Sequence, residues 1–301
     1  MKYQSGGAFR RALEDRLRSQ SRELGLPLVR LRKMVTFERF LVRLTTDQPG
    51  NWLLKGGLAL QWRLGNVART TKDLDMLVKA PVEDIHQSLL RAALLDVGDW
   101  FRFLVRQPTD AVARRAGVGL RYQVQSLLDG RPFESFHVDV GWGDPVVEPP
   151  DELEAPSLLD FAGISPARVL CYPITQHIAE KVHAYTRPHV SGESSRVKDL
   201  IDILLIAQAS VVDGKVLTKA IQATFGARDT HALPRSLPDA PASWEASLLK
   251  MAGDVGLRDA TLATAVDMAR RFLDPVLSLE DEARGTWDPV TWEWRQGDPR
   301  R

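Results

Sequence analysis

Apolar positions in "LVRLRKMVTFERFLVRL" recur at helical spacing, with arginines on the other faces, and predict helices over residues 8–46. Pro49-Gly50-Asn51 marks a turn. "WLLKGG" reads as a short buried strand or helix end stopped by glycine, and "LALQWRLG" as two turns of helix closed by Gly65. "LDMLV" predicts a strand and "EDIHQSLLRAALLDV" a helix. Strands follow at "FRFLVR", "VGLRYQVQSLL" and "ESFHVDVGW", the last two joined by the turn Asp129-Gly130-Arg131-Pro132. The pattern then turns helical, in "TQHIAEKVHAYT", in "SSRVKDLIDILLIAQA", and over residues 215–225 and 259–278. The proline-rich "DTHALPRSLPDAPASW" between them reads as an extended surface connection. No internal repeat is visible. The expected fold class is α/β of the α+β kind. Residues 1–150 form a mixed domain of N-terminal helices around a small sheet, and residues 151–301 a mainly helical domain. The boundary is expected between Pro145 and Pro173, with a cleft between the domains.

The length of 301 residues suits about two domains. A net charge of +1 gives no global signature of a nucleic-acid partner, but residues 1–45 carry eleven Lys and Arg against four Asp and Glu. That local excess of seven positive charges suits either phosphate-backbone contacts or a solvated helix face. The single cysteine, Cys171, excludes an internal disulfide and four-cysteine zinc sites, and suits a reducing cytoplasm. The N-terminus has no apolar signal core, and no apolar run approaches the roughly 20 residues of a membrane span. His177, His183 and His189 are spaced six residues apart, which puts no i, i+4 pair on one helix face, and they read as ordinary helix and turn residues.

One pair of carboxylates changes this picture. Asp73 and Asp75 stand one residue apart in an apolar strand, so both point to one face. Burying unpaired carboxylates is costly, and a divalent cation resolves their repulsion. An isolated Asp-x-Asp is more often a solvated strand end or a local salt bridge. Here, however, Gly56 and Gly57 precede a predicted helix N-terminus, where free N–H groups favour phosphate. A third carboxylate, Asp139, lies in another apolar strand that can sit beside the first. Alone it reads as an edge residue near a turn. Two glycines, an acidic pair and a distant acidic strand residue together are what two-metal nucleotidyl transfer requires. No GxSxG elbow, GxxxxGK[ST] loop or dinucleotide fingerprint is present.

"LLKGGLAL…RTTKDLDMLV" resembles the opening motif of the AbiEii/AbiGii nucleotidyltransferase toxins, "FHVDVGWGDPV" a later strand of that family, and "ITQHIAEKVHAYT" with "RVKDLIDILLI" its helical lysine and aspartate motifs. "THALPRSLPDAPASW" resembles its proline-rich connection, and the likeness covers about residues 35–280. Gly57 stands where the wider superfamily has serine, and the spacer to Asp73 is fifteen residues. The resemblance implies a DNA polymerase-β-like nucleotidyltransferase fold, Mg²⁺ as cofactor, an NTP substrate, an antitoxin encoded nearby, and the 3′ acceptor end of tRNA as target. It implies a metal site at Asp73, Asp75 and Asp139, phosphate contacts from Gly56 and Gly57, and a phosphate-neutralising Lys181. Lys55, Arg69, Thr70 and Thr71 are further phosphate-side residues. Asp199 and Asp202, three apart on a helix, are expected to pair with Lys181, Arg196 or Lys198, either to orient the lysine or as a structural salt bridge. Two rival functions stay open: modification of a protein or small molecule in the same fold, and a catalytically silent nucleotide- or RNA-binding protein.

Overall fold

The computed structural model describes residues 2–79, 85–106, 119–188, 196–257, 261–279 and 285–296, without the side chain of Asn66. Glu83, Asp84, Val118, His189, Ser194, Ser195, Asp259 and Ala260, each part of a sequence expectation above, lie outside the described residues. The chain forms two compact units. The first comprises residues 1–63, 70–143 and 151–171; the second comprises 64–69, 144–150 and 172–301.

The first unit opens with helices α1 (Gly6–Leu24) and α2 (Leu28–Asp47). Ser5 caps α1 by accepting the Ala8 N–H, and Gly25 ends it in the left-handed conformation. Strand β1 (Trp52–Lys55) runs directly into α3 (Gly56–Leu64), and β2 (Asp73–Val78) follows. Helix α4 (Ile85–Leu94), β3 (Phe101–Arg106), β4 (Gly119–Leu128) and β5 (Arg131–Trp142) complete the predicted set. Asp129 and Gly130 both have positive φ, the two-residue turn that matches the twist of a hairpin. Two strands were not expected: β6 (Asp151–Glu154) and β7 (Arg168–Cys171). The sheet order is β3-β4-β5-β2-β1-β7-β6. Strand β7 pairs parallel to β1 and β6 antiparallel to β7, so residues 151–171 belong to the sheet and not to the helical half. The last change of unit falls between Cys171 and Tyr172, inside the stretch Pro145–Pro173 where the boundary is expected though later than residue 150. Four-residue strands carry too little periodicity to read, and it is pairing with β1 that defines β7.

One face of the sheet is apolar. Leu54, Leu74, Met76, Tyr122, Val124, Val138 and Val140 are buried there, in one cluster with Phe9, Leu13, Phe37 and Phe40 of the first two helices. The N-terminal arginines meet this core. Arg39 and Arg43 of α2 are buried on Asp99, which is 1% exposed. Arg39 Nε donates to Oδ2 at 2.7 Å, and Arg43 Nη2 to Oδ1 at 2.7 Å. Arg43 also donates to the carbonyls of Leu95, Arg39 and Phe101. Burial alone would raise the pKa of Asp99, but Arg43 and Arg39 outweigh it and hold it below the ordinary value. Arg10 donates to the carbonyls of Leu128, Arg131 and Pro132, and Arg32 to Glu14. Much of the basic excess of residues 1–45 thus lies on internal partners, neither a solvated face nor a phosphate-binding surface.

The second unit is mainly helical: α5 (Ile174–Thr186), α6 (Val197–Ala209), α7 (Gly214–Arg228), α8 (Glu245–Asp254) and α9 (Leu262–Leu277). Helix α6 is its centre, with residues 199–207 all buried and α5, α8 and α9 packed around it. Strands β8 (Val212–Asp213), β9 (Thr286–Asp288) and β10 (Glu293–Arg295) form a small sheet that the pattern did not announce. Trp287 is fully buried there and donates to the Ala207 carbonyl at 2.7 Å. No helix among the described residues is long and apolar enough to cross a membrane.

Candidate active site

The opposite face of the large sheet carries the acidic residues. Strand β2 pairs antiparallel with β1 and parallel with β5, and β5 pairs antiparallel with β4. The register sets Lys55 against Asp75, Asp75 against Asp139, and Asp139 against Arg121. Partners in register share a face, so four charged side chains form one row across four strands, in the order plus, minus, minus, plus. The next row sets Asp73 against His137. Leu74 and Val138, one residue along, point into the core.

The two glycines are shaped by this row. Gly56 has φ +68°, a conformation that costs an L side chain roughly 1–2 kcal/mol. A Cβ there would also stand 2.1 Å from Asp75 Oδ2. A Cβ on Gly57 would meet Thr71 at 2.9 Å. The first turn of α3 therefore passes against Asp75 and Thr71 with no room for a methyl group. Thr71 Oγ1 donates to the Asp73 carbonyl at 3.0 Å and so fixes the entry to β2. Gly65 offers a control, with φ +67° and nothing within 4 Å of a Cβ. Gly56→Ala is expected to destabilise the protein by more than Gly65→Ala, which meets backbone strain alone. Urea denaturation of the two variants measures the difference, and equal losses would mean that Asp75 does not press on α3.

Arg121 was not singled out by the sequence, yet it holds two of the three carboxylates. Its Nη2 lies 2.6 Å from Asp73 Oδ2 and 3.2 Å from Asp139 Oδ2, and its Nε lies 3.0 Å from Asp139 Oδ1. His137 Nδ1 lies 3.4 Å from Asp73 Oδ1. Asp139 is 6% exposed at its side chain, Asp73 35% and Arg121 41%. Partial burial would lower the Arg121 pKa, but Asp139 and Asp73 outweigh it and raise it. The available signal was period-two alternation in "GLRYQV", which puts Arg121 on the face away from Tyr122; its distance from Asp139 required the register.

Among the described residues no group of three His, Cys, Asp or Glu side chains is gathered closely enough to enclose a metal as it stands. The donor set nevertheless suits a hard divalent cation. Asp73, Asp75 and Asp139 are oxygen donors on one sheet face, and a guanidinium already sits between two of them as counter-ion.

A second charged cluster lies within the helical unit. Lys181 Nζ on α5 is 2.6 Å from Asp202 Oδ2 and 3.5 Å from Asp199 Oδ1, both on α6. Arg69 grips Asp202 with two bonds of 2.8 Å, and Arg196 Nη1 lies 3.4 Å from Asp199 Oδ2. Lys198, expected as an alternative partner, is exposed. Arg69, grouped above with the phosphate-side residues, makes a bidentate pair with Asp202. Burial would raise the Asp202 pKa, but Lys181 and Arg69 outweigh it and hold it low. Burial would likewise lower Lys181, but Asp202 and Asp199 outweigh it and keep the ammonium charged. Among the described residues, Lys181, Arg69 and Arg196 thus gather on Asp199 and Asp202.

Residues 39–278 match the family model described as "Nucleotidyl transferase AbiEii toxin, Type IV TA system". Among solved structures, the chain is similar to MenT4, a nucleotidyltransferase toxin from Mycobacterium tuberculosis H37Rv, at 19% identity, TM-score 0.52, and coverage of 88% of this chain and 98% of that one. JHP933 from Helicobacter pylori aligns at 15% identity and TM-score 0.41 over 82% of this chain and 91% of that one. None of the curated proteins matches.

Proposed function

The chain belongs to the family of AbiEii nucleotidyltransferase toxins, and on that premise we propose that it transfers a nucleoside monophosphate from an NTP to an acceptor hydroxyl, the 3′ end of tRNA, and so blocks translation. The observation that carries this reading is the row Lys55, Asp75, Asp139, Arg121 on one sheet face, with the start of α3 pressed against Asp75. A protein that merely bound RNA would gain nothing from three carboxylates facing a polyanion.

Asp73, Asp75 and Asp139 would hold Mg²⁺. Bound there, the ion would supply positive charge to the oxygens of the transferring phosphate. The backbone N–H groups of Gly56 and Gly57, at the first turn of α3, receive phosphate oxygens, and the helix dipole favours them. Lys55 precedes that turn in sequence and Thr71 packs against Gly57, and with Thr70 they bind the same anion. Asp139 completes the metal set or takes the acceptor proton. The acceptor oxygen attacks the α-phosphorus directly as its proton is taken up, the bond from the α-phosphorus to the β-phosphate oxygen breaks, and pyrophosphate leaves, so no protein nucleophile is needed. Lys181 offsets phosphate charge, and Asp202 and Asp199 fix its ammonium. The toxin family carries with it the expectation of a cognate antitoxin.

Incubation of the protein with each α-labelled NTP and either total RNA or a protein extract tests the reading. Label at RNA 3′ ends is expected; label migrating with protein alone would replace tRNA by a protein acceptor. Lys181→Ala is expected to reduce transfer severely. Lys181→Arg should recover only part, because a planar fork does not replace a compact ammonium 2.6 Å from Asp202. Folded Lys181→Ala protein with wild-type kcat and KM would remove Lys181 from the mechanism.

A further inference from the structure

We propose that Arg121 is a built-in substitute for the divalent cation: it holds Asp73 and Asp139 while the metal is absent, and on metal binding it is displaced toward the phosphates of the incoming nucleotide. This inference rests on the nucleotidyltransferase reading of the acidic face.

Two of the three carboxylates assigned to the metal have oxygens within 3.2 Å of the Arg121 guanidinium, and both oxygens of Asp139 are so engaged. A cation and a guanidinium cannot take the same lone pairs at once. Asp139 is 6% exposed, so its charge needs a partner in every state of the protein. Arg121 provides that partner before the metal does. Its backbone cannot yield, because β4 is paired on both sides, with β3 and β5. The side chain alone must move, and at 41% exposure it has solvent to move into. Asp73, the outer of its two partners, is 35% exposed, so the route out passes over the rim of the acidic face. A guanidinium released there meets a triphosphate, the anion its fork matches in a bidentate fashion. The exchange has a second consequence. With the carboxylates occupied internally, the unloaded protein presents less negative charge to the RNA and NTP that must approach it.

The test is direct binding of Mn²⁺, read by the paramagnetic resonance of the free ion, to the full-length wild type, Arg121→Gln and Arg121→Lys. Removing the guanidinium frees the oxygens of Asp73 and Asp139 and takes away a charge that repels the dication, so Mn²⁺ binding is expected to tighten on the order of tenfold or more. Arg121→Lys, which keeps the charge but loses the fork, should lie between. In EDTA both variants are expected to melt below wild type, and Mn²⁺ should raise their melting temperatures by more than it raises that of wild type. Binding of inorganic triphosphate at saturating Mn²⁺ should weaken on the order of tenfold in Arg121→Gln. Equal Mn²⁺ affinity in all three proteins would overturn the proposal while leaving the metal site standing. Tighter Mn²⁺ with unchanged triphosphate binding would overturn the displacement toward phosphate. No Mn²⁺ binding by any of the three, with or without triphosphate, would remove the metal reading itself and this inference with it.

Discussion

Asp75→Asn is expected to abolish nucleotidyl transfer while leaving the fold intact. Asp75 stands in register with Asp139 on a parallel neighbouring strand, and the start of α3 lies against its carboxylate. It is therefore central to the acidic row, between Lys55 on one side and Asp139 on the other. The substitution keeps shape and removes one charge. Loss of a single preorganised electrostatic group at a reacting centre costs about 10²–10³-fold in rate, and a lost metal ligand costs at least as much. Stability should change by no more than about 1 kcal/mol, because two adjacent carboxylates repel and the amide relieves that repulsion. Asp73→Asn should act in the same direction, and it also removes one of the partners of Arg121. Transfer from labelled NTP in Mg²⁺, measured beside a urea denaturation curve, separates the two effects. Near wild-type transfer by Asp75→Asn would refute the assignment of the acidic row as the reacting centre.

Asp99→Ala is expected to cost about 3–5 kcal/mol of stability. Its carboxylate answers two guanidiniums, those of Arg39 and Arg43, with four contacts between 2.7 and 3.0 Å including the N–H of Phe101. Arg43 is fully buried, so it cannot turn to water when its partner is removed. An uncompensated buried cation is what makes the loss large; the intact pair itself contributes much less. Domains are stable by only about 5–15 kcal/mol, so the variant should sit near its unfolding transition at 37 °C. A shift of the urea midpoint equivalent to under 1 kcal/mol would mean that water or another carboxylate reaches these arginines. Because Asp99 lies away from the acidic row in the pairing scheme, transfer by the folded fraction should keep its KM.

The local chemistry of the candidate site was legible from one short segment. "KGG" followed by "DLD" states a strand that stops at glycine, a helix start and two carboxylates on one strand face, because these depend on residue types and on spacings of one or two residues. The helices were legible too, since α2, α5 and α6 are each at least 13 residues long and repeat their apolar face several times. The strands β6 and β7 were not, because at four residues each they become strands only through their partners. The arginines of α2 were misread for a related reason. Composition counts charge, but only the packing of α2 against Asp99 shows that Arg39 and Arg43 face inward.

The sequence by itself determined which residues make up the candidate site and the order in which the chain presents them. It determined that Gly56 and Gly57 precede a helix, that Asp73 and Asp75 share a face, and that Lys181 shares its half of the chain with Asp199 and Asp202. The tertiary structure decided every pairing between segments distant in the chain: Asp75 with Asp139 by the parallel register of β2 and β5, Arg121 with Asp73 and Asp139 by the register of β4, and Arg69 with Asp202 by the packing of α6. The physical reason is range. A period of 2 or 3.6 residues fixes which side chains of one element share a face, whereas register between elements is set by the whole buried face and the turns that join it, and one residue of slip would have turned Arg121 into the core.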